Sequence, residues 1–474
     1  MKNFLAQQIK NIITIYLLGF SFFAFSEFSS SVFDENNINE LNESLSDTFG
    51  KTLTNTNYDP ILWTIASGIE STKYKINTKD FTETASSFNN SLSFGENSIY
   101  NKPYYQGDMN FYTRLNKKSS KAIVVLSSSY NTWKSGTWIK KLISLIDKIY
   151  PEKINIIIFP GYLSPKNFLE TGKPSFPDIT GEFVAHDLYN RLISSKIDFS
   201  MFNQVGAIGF SGGASIAVEI LNADRKYAKE NNQKAIFNLG AIAFSPIVST
   251  SNTCICIDSN SKLAIKAGWS PKKGLFSLGT LSYLKINHSN VLDSPSSIMS
   301  LNSNNPNLAK YLVKAFSNEF ISYDLKHITN SSQSEGYTWD PKLHFSDIAL
   351  LRNGKMHGWG YGHYYKDYAF KHWQESGYFC DETVFEKINI SDQTINIDVP
   401  LILVNSMDDP VLSMTYENYS KLLVGKNDEI TNILNEVKLN KNVKVINLKY
   451  GAHMAYLLET SWYKEVLTSF FQIK

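Results

Sequence analysis

The chain has 474 residues, 43% of them hydrophobic and 14% aromatic, with 46 basic against 44 acidic side chains. This content excludes a collagen-like or generally disordered chain, and the near balance of charge removes the electrostatic case for nucleic acid or an anionic membrane as partner. The length admits two or three average domains, or one large α/β domain with an insertion.

Lys2 and Lys10 precede an apolar run over residues 12–25, and Ala24-Phe25-Ser26 presents small residues where a signal peptidase reads. Residues 1–26 are therefore expected to be a cleaved secretory signal, and the mature chain to be secreted or periplasmic. Fourteen apolar-biased residues are few for a bilayer crossing, so no stable membrane span is expected after cleavage. The alternatives are an uncleaved anchor or an amphipathic first helix, and the latter lacks polar residues at helical spacing. Loss of this segment removes two lysines and no acid, which leaves basic and acidic side chains equal in number. Residues 27–57, rich in Ser, Asn, Asp and Glu, read as a polar leader. The folded domain is expected over 58–474, with 58–120 unassigned.

From Lys121 onward, apolar runs alternate with stretches of helical periodicity. A strand is expected over 122–126, followed by a helix in which Trp138, Leu142, Leu145, Ile146 and Ile149 recur on one face. A strand over 154–159, a helix over 183–193 and a strand over 205–208 come next. The last leads into Gly209-Phe210-Ser211-Gly212-Gly213 and a small-residue helix over 214–221. Further strands are expected over 239–244, 401–404 and 443–448, and a helix over 462–471 closes the chain. Apolar strands alternating with helices imply an α/β fold whose mostly parallel sheet is covered by helices on both faces. Between 245 and 400 the strand signal disappears, so a segment of about 250–390 is expected to be an inserted cap. Trp359, Tyr364 and Tyr365 in its aromatic end suit the wall of a substrate pocket for an apolar or amphipathic ligand, the alternative being the cap's own core.

A serine between glycines, after a buried strand and before a helix, has the form of a nucleophile elbow. The plainer reading is that the Ser211 hydroxyl caps the following helix. A hydroxyl nucleophile needs a base, and the base needs a group that fixes its tautomer. After the strand over 401–404 comes Asn405-Ser406-Met407-Asp408-Asp409-Pro410-Val411, at the carboxyl edge of the expected sheet where ligand sites lie. Asp409, just before the Pro-Val turn, is the first choice for the orienting acid; Asp408 is second, with a turn cap as its structural role. Past the last strand, Tyr450-Gly451-Ala452-His453-Met454 places His453 in a loop among small residues, a setting the other seven histidines lack. The three cysteines, Cys254, Cys256 and Cys380, lack zinc-site spacing. A disulfide from Cys380 to either of the others, or free thiols, are the two readings, since a Cys254–Cys256 bridge would be strained.

Ser211, Asp409 and His453 follow one another in the chain order of the α/β-hydrolases. The chain resembles that superfamily, and within it the YheT-type hydrolases, over roughly residue 121 to the end. The resemblance is carried by Gly209-Phe210-Ser211-Gly212-Gly213, by Gly358-Trp359-Gly360 with Tyr364-Tyr365 after it, by Val399-Pro400-Leu401 leading to Asp408-Asp409-Pro410, and by Gly451-Ala452-His453. It implies an α/β-hydrolase fold, a Ser211–His453–Asp409 triad, and an oxyanion hole formed by the Gly212 amide with a donor from Ser128 or Ser129. Where relatives commonly carry His-Gly after the early strand, this chain has Leu126-Ser127-Ser128-Ser129-Tyr130. The expected activity is that of an exported serine hydrolase acting through an acyl-enzyme, foremost a carboxylic ester hydrolase, without metal or organic cofactor. A small-molecule ester, lipid-like if the aromatic cap lines the pocket, is the expected substrate. Acyl transfer and peptide cleavage use the same triad, and a catalytically silent binding module of the cell envelope is the rival from another class.

Overall fold

The computed structural model describes residues 59–71, 74–104, 107–127, 137–159, 181–250, 252–253, 256, 301–309, 312, 389–412 and 428–472. The expected signal, the polar leader and most of the expected cap lie outside the described residues.

Helix α1 (Pro60–Ser71) opens the described chain. Its start follows from local chemistry: the Asp59 carboxylate accepts the N–H groups of Ile61 at 2.8 Å and Leu62 at 3.2 Å, and Pro60 occupies the first turn, where a missing N–H costs nothing. Strands β1 (Thr82–Ser86) and β2 (Met109–Arg114) follow, then β3 (Lys121–Leu126), helix α2 (Thr137–Ile149) and β4 (Asn155–Phe159). Helix α3 (Glu182–Ile193), β5 (Gln204–Phe210), α4 (Gly212–Glu230) and β6 (Gly240–Phe244) come next. After the expected insertion come α5 (Ile390–Thr394), β7 (Leu401–Ser406), α6 (Asp428–Val437), β8 (Val443–Leu448) and α7 (Thr460–Gln472).

The eight strands form one sheet in the order β1-β2-β4-β3-β5-β6-β7-β8. β1 pairs antiparallel with β2 and β2 with β4, while every pairing from β4 through β3 to β8 is parallel. The two antiparallel strands lie in the stretch that the sequence leaves unassigned. β6 and β7 are direct neighbours although 156 residues separate Phe244 from Leu401.

Both faces are covered, and alternation along each strand decides which residues meet which helices. Ile123, Val125, Ile156, Ile158, Ile208, Phe210, Ile242, Phe244, Ile402 and Val404 pack on one side with α1, α2 and α7. Their neighbours Ala122, Val124, Leu126, Ile157, Phe159, Ala207, Ala241, Ala243 and Leu403 pack on the other with α3, α4 and α6. The segment between β1 and β2 is anchored to α3 through Arg191, buried with Asp187 at 2.9 Å and donating to the carbonyl oxygens of Ser86 and Gly107.

Candidate active site

Register places the chemistry at one edge. Leu126 of β3 lies beside Gly209, Gly209 beside Ala243, Phe244 beside Val404, and Ser406 beside Leu448. The loops leaving β3, β5, β7 and β8 therefore emerge together at the carboxyl ends of the parallel strands, the side on which α/β sheets bind ligands.

At the end of β5 the chain turns sharply into α4. Ser211 has φ 54° and ψ −126°, a conformation that costs a non-glycine residue about 1–3 kcal/mol. It is held there by its N–H, which donates to the Phe244 carbonyl at 2.8 Å, and by its own carbonyl, which accepts from Ala214 at 2.7 Å. Gly209 and Gly213, two residues to either side, leave room for this turn. A Cβ on Gly209 would sit 2.1 Å from the Gly213 oxygen, and one on Gly213 2.4 Å from both the Leu126 and Ser127 oxygens. The Ser211 hydroxyl makes no capping bond to α4. It is instead 3.1 Å from His453 Nε2.

His453 lies 4% exposed in the loop after β8, and its Nδ1 is 2.7 Å from Asp409 Oδ2. Asp409, 1% exposed, uses its other oxygen to accept the N–H groups of Val411 at 2.8 Å and Leu412 at 3.0 Å. With Oδ1 committed to those amides, Oδ2 is aimed at the imidazole, which fixes Nδ1 as the donor and leaves Nε2 as the acceptor facing Ser211. The structure thus brings together Ser211, His453 and Asp409 from loops 242 and 44 residues apart in sequence. Asp408, the second choice for the acid, points elsewhere: its Oδ1 accepts from Ser406 Oγ at 2.5 Å and from the Ala452 N–H at 2.9 Å. Burial pushes its carboxyl up to about 8, with the charge of Asp409 adding and the Ala452 and Gly451 amides opposing.

Gly212 is the first residue of α4, so its N–H has no partner within the helix and lies at the positive end of the helix dipole. The close approach of Gly213 to the Leu126 and Ser127 carbonyls puts the start of the β3 loop against the elbow. Ser127 itself is buried and its N–H continues the sheet by donating to Phe159 at 3.2 Å. Ser128 and Ser129 lie outside the described residues, as do Trp359, Tyr364 and Tyr365.

Two contacts to His453 come from parts of the chain that the sequence reading does not link to it. The His453 N–H donates to Thr64 Oγ1 of α1 at 3.0 Å, and Trp138 of α2 stands edge-on to the imidazole with ring centroids 6.4 Å apart. A local signal for α1 existed in Asp59-Pro60, an N-cap followed by proline at the first helical position. Nothing local identifies its partner. Cys256 is a free, buried thiol, which for this cysteine is the second of the two readings. Burial raises its pKa above the usual thiol range, with the charges of Asp409 and Glu429 adding. Cys254 and Cys380 lie outside the described residues. Among the described residues no group of three or more His, Cys, Asp or Glu side chains is placed to hold a metal, and no helix is long and apolar enough to cross a membrane.

An eight-stranded, mostly parallel sheet with helices on both faces, a strained serine turn after β5, an acid after β7 and a histidine after β8 defines the α/β-hydrolase fold. No family model and no curated protein matches the chain. Among solved structures it is similar to the esterase Pf2001 of Pyrococcus furiosus, at 12% identity and a TM-score of 0.41 over 84% of this chain and 95% of that one. It is also similar to MGS-M2, an alpha/beta hydrolase enzyme from a deep-sea metagenome library, at 14% identity and a TM-score of 0.38 over 77% and 95%. A third is the acylaminoacyl peptidase of Pyrococcus horikoshii, at 11% identity and a TM-score of 0.36 over 83% of this chain and 41% of that one.

Proposed function

We propose that the protein is an exported serine hydrolase of the YheT type, acting foremost on carboxylic esters. The observation that carries the reading is the hydrogen-bonded chain from Ser211 Oγ through His453 to Asp409, built on a serine in a strained turn. In this mechanism His453 Nε2 takes the Ser211 proton as Oγ attacks the acyl carbonyl, and Asp409 stabilises the imidazolium that forms. His453 then protonates the departing alcohol, and water repeats the sequence on the acyl-enzyme to release the acid. The Gly212 N–H is one oxyanion donor, and a donor from the Ser128–Ser129 stretch completes the hole; loss of one such donor typically costs about 10²–10³-fold in rate.

Residues 1–26 serve as the export signal, and Trp359, Tyr364 and Tyr365 of the cap line the pocket for a lipid-like acyl chain. The departure at Leu126-Ser127-Ser128-Ser129-Tyr130 from the His-Gly of relatives favours a second reading, a silent copy of the fold that binds without chemistry. A fluorophosphonate probe separates the two: folded wild type is expected to be labelled and Ser211→Ala is not. Absence of labelling in folded wild type would overturn the hydrolase reading. A preference for acetyl over long-chain esters would count against the lipid-like substrate, and an intact Met1 on the mature chain against export.

A further inference from the structure

We propose that Asp408 is a positioning residue: its buried carboxyl ties the loop that carries His453 to the end of β7 and so keeps the imidazole between Ser211 and Asp409. The proposal rests on the hydrolase reading and deepens it.

The loop needs such a tie. Gly451, Ala452 and Met454 have φ values of 152°, 47° and 62°, so three of the four residues from Gly451 to Met454 hold left-handed backbone around His453. Ala452 and Met454 have side chains that disfavour this region, and the turn persists only because contacts over-determine it. Asp408, 0% exposed, supplies one contact by accepting the Ala452 N–H, the amide immediately before His453. Its second partner, Ser406 Oγ, belongs to β7 and packs so closely on Gly451 that a Cβ there would be 2.8 Å away. The carboxyl therefore joins strand end and histidine loop at two points.

Two adjacent, fully buried carboxyl groups cannot both ionise at ordinary cost. Asp409 has the compensation, accepting from two backbone amides and from His453. Asp408 faces the Asp409 charge, the Ser406 hydroxyl and the Gly451 and Ala452 amides; burial and that charge push its carboxyl up, and the amides oppose the shift. Asp409 is in turn faced by His453, by the Cys256 thiol from the segment after β6 and by the Tyr456 hydroxyl. Ionisation of Asp408 would place a second negative charge beside the His453–Asp409 pair.

The test is the rate of Ser211 inactivation by a fluorophosphonate, resolved into maximal rate and half-saturating concentration from about pH 5 to 10, for the full chain and for Asp408→Ala and Asp408→Asn. Asp408→Ala is expected to lower the maximal rate roughly 10- to 100-fold, with half-saturation within about twofold. Asp408→Asn keeps the acceptor oxygen, so it is expected to restore the rate to within about threefold at neutral pH. Wild-type rates in Asp408→Ala, or an Asp408→Asn as slow as the alanine variant while folded by circular dichroism, would overturn the proposal. If folded wild type is not labelled at all, the hydrolase reading fails instead and the tie is judged on melting. Asp408→Ala must then melt below Asp408→Asn, and equal melting overturns it.

Discussion

Replacing Asp409 by asparagine tests the orientation of the imidazole with almost no change of shape. Oδ1 of Asp409 accepts from Val411 and Leu412, and an asparagine that preserves these bonds must turn its amide nitrogen toward His453. The flipped rotamer would offer His453 an oxygen but set the NH₂ against two buried backbone donors, and each donor left unpaired costs about 1–3 kcal/mol. The amide nitrogen therefore donates to Nδ1, the imidazole proton moves to Nε2, and the nitrogen 3.1 Å from Ser211 Oγ becomes a donor unable to accept its proton. The expected loss is roughly 10⁴-fold in acylation rate, equivalent to about 5 kcal/mol of transition-state stabilisation. Stopped-flow or gel-resolved fluorophosphonate labelling measures it, with the melting curve expected to stay close to wild type because both amides remain paired. A rate within tenfold of wild type would refute the tautomer argument, and a 10⁴-fold loss in Asp408→Asn would transfer the role to the neighbouring carboxyl.

Thr64→Val removes the acceptor for the His453 N–H at nearly constant volume; a lower melting temperature, corresponding to about 1–3 kcal/mol, and slower labelling are expected, with Thr64→Ser restoring both. Unchanged labelling in Thr64→Val would show that α1 does not hold the histidine. Gly213→Ala sets a Cβ against backbone oxygens at 2.4 Å, so the elbow must move, and lost labelling with destabilisation above about 2 kcal/mol in urea is expected. Burial raises the Asp59 carboxyl from 3.8 to about 6, with the Leu62 and Ile61 amides opposing. The folded state therefore binds more protons between those values, and stability falls as pH rises through them. Asp59→Asn keeps the cap and removes that slope; its stability should gain on wild type from about pH 4 to pH 7, by up to about 3 kcal/mol. Parallel curves of stability against pH for the two proteins would contradict this.

The legible part of the molecule is the part encoded in consecutive residues. The inner parallel strands are short runs of apolar side chains buried on both faces, as in Ile156-Ile157-Ile158-Phe159, so composition alone marks them. The serine turn declares itself because its backbone geometry excludes side chains at Gly209 and Gly213. β1 is not legible for the complementary reason. Thr82-Glu83-Thr84-Ala85-Ser86 is an edge strand with a largely exposed face, and its pattern is that of any polar loop rich in threonine. Asp409 could be preferred over Asp408 from the turn that follows it, but both sit in one loop with the same chemistry. Their separation depends on the Val411 and Leu412 amides that orient one carboxylate toward His453, and on the Ser406 and Ala452 contacts that turn the other away.

By itself the sequence determined the α/β alternation, the serine elbow and the placement of an acid and a histidine each after its own strand. These are local demands of backbone conformation, burial and chain order. Only the tertiary structure decided that Thr64 and Trp138 meet His453, that Asp408 binds the histidine loop, and that Cys256 is a buried free thiol beside the acid. Those contacts join residues as many as 389 positions apart, and they arise because strand register carries separate loops to one edge of the sheet while α1 and α2 pack beside them. No property of either partner's immediate neighbours encodes such a meeting.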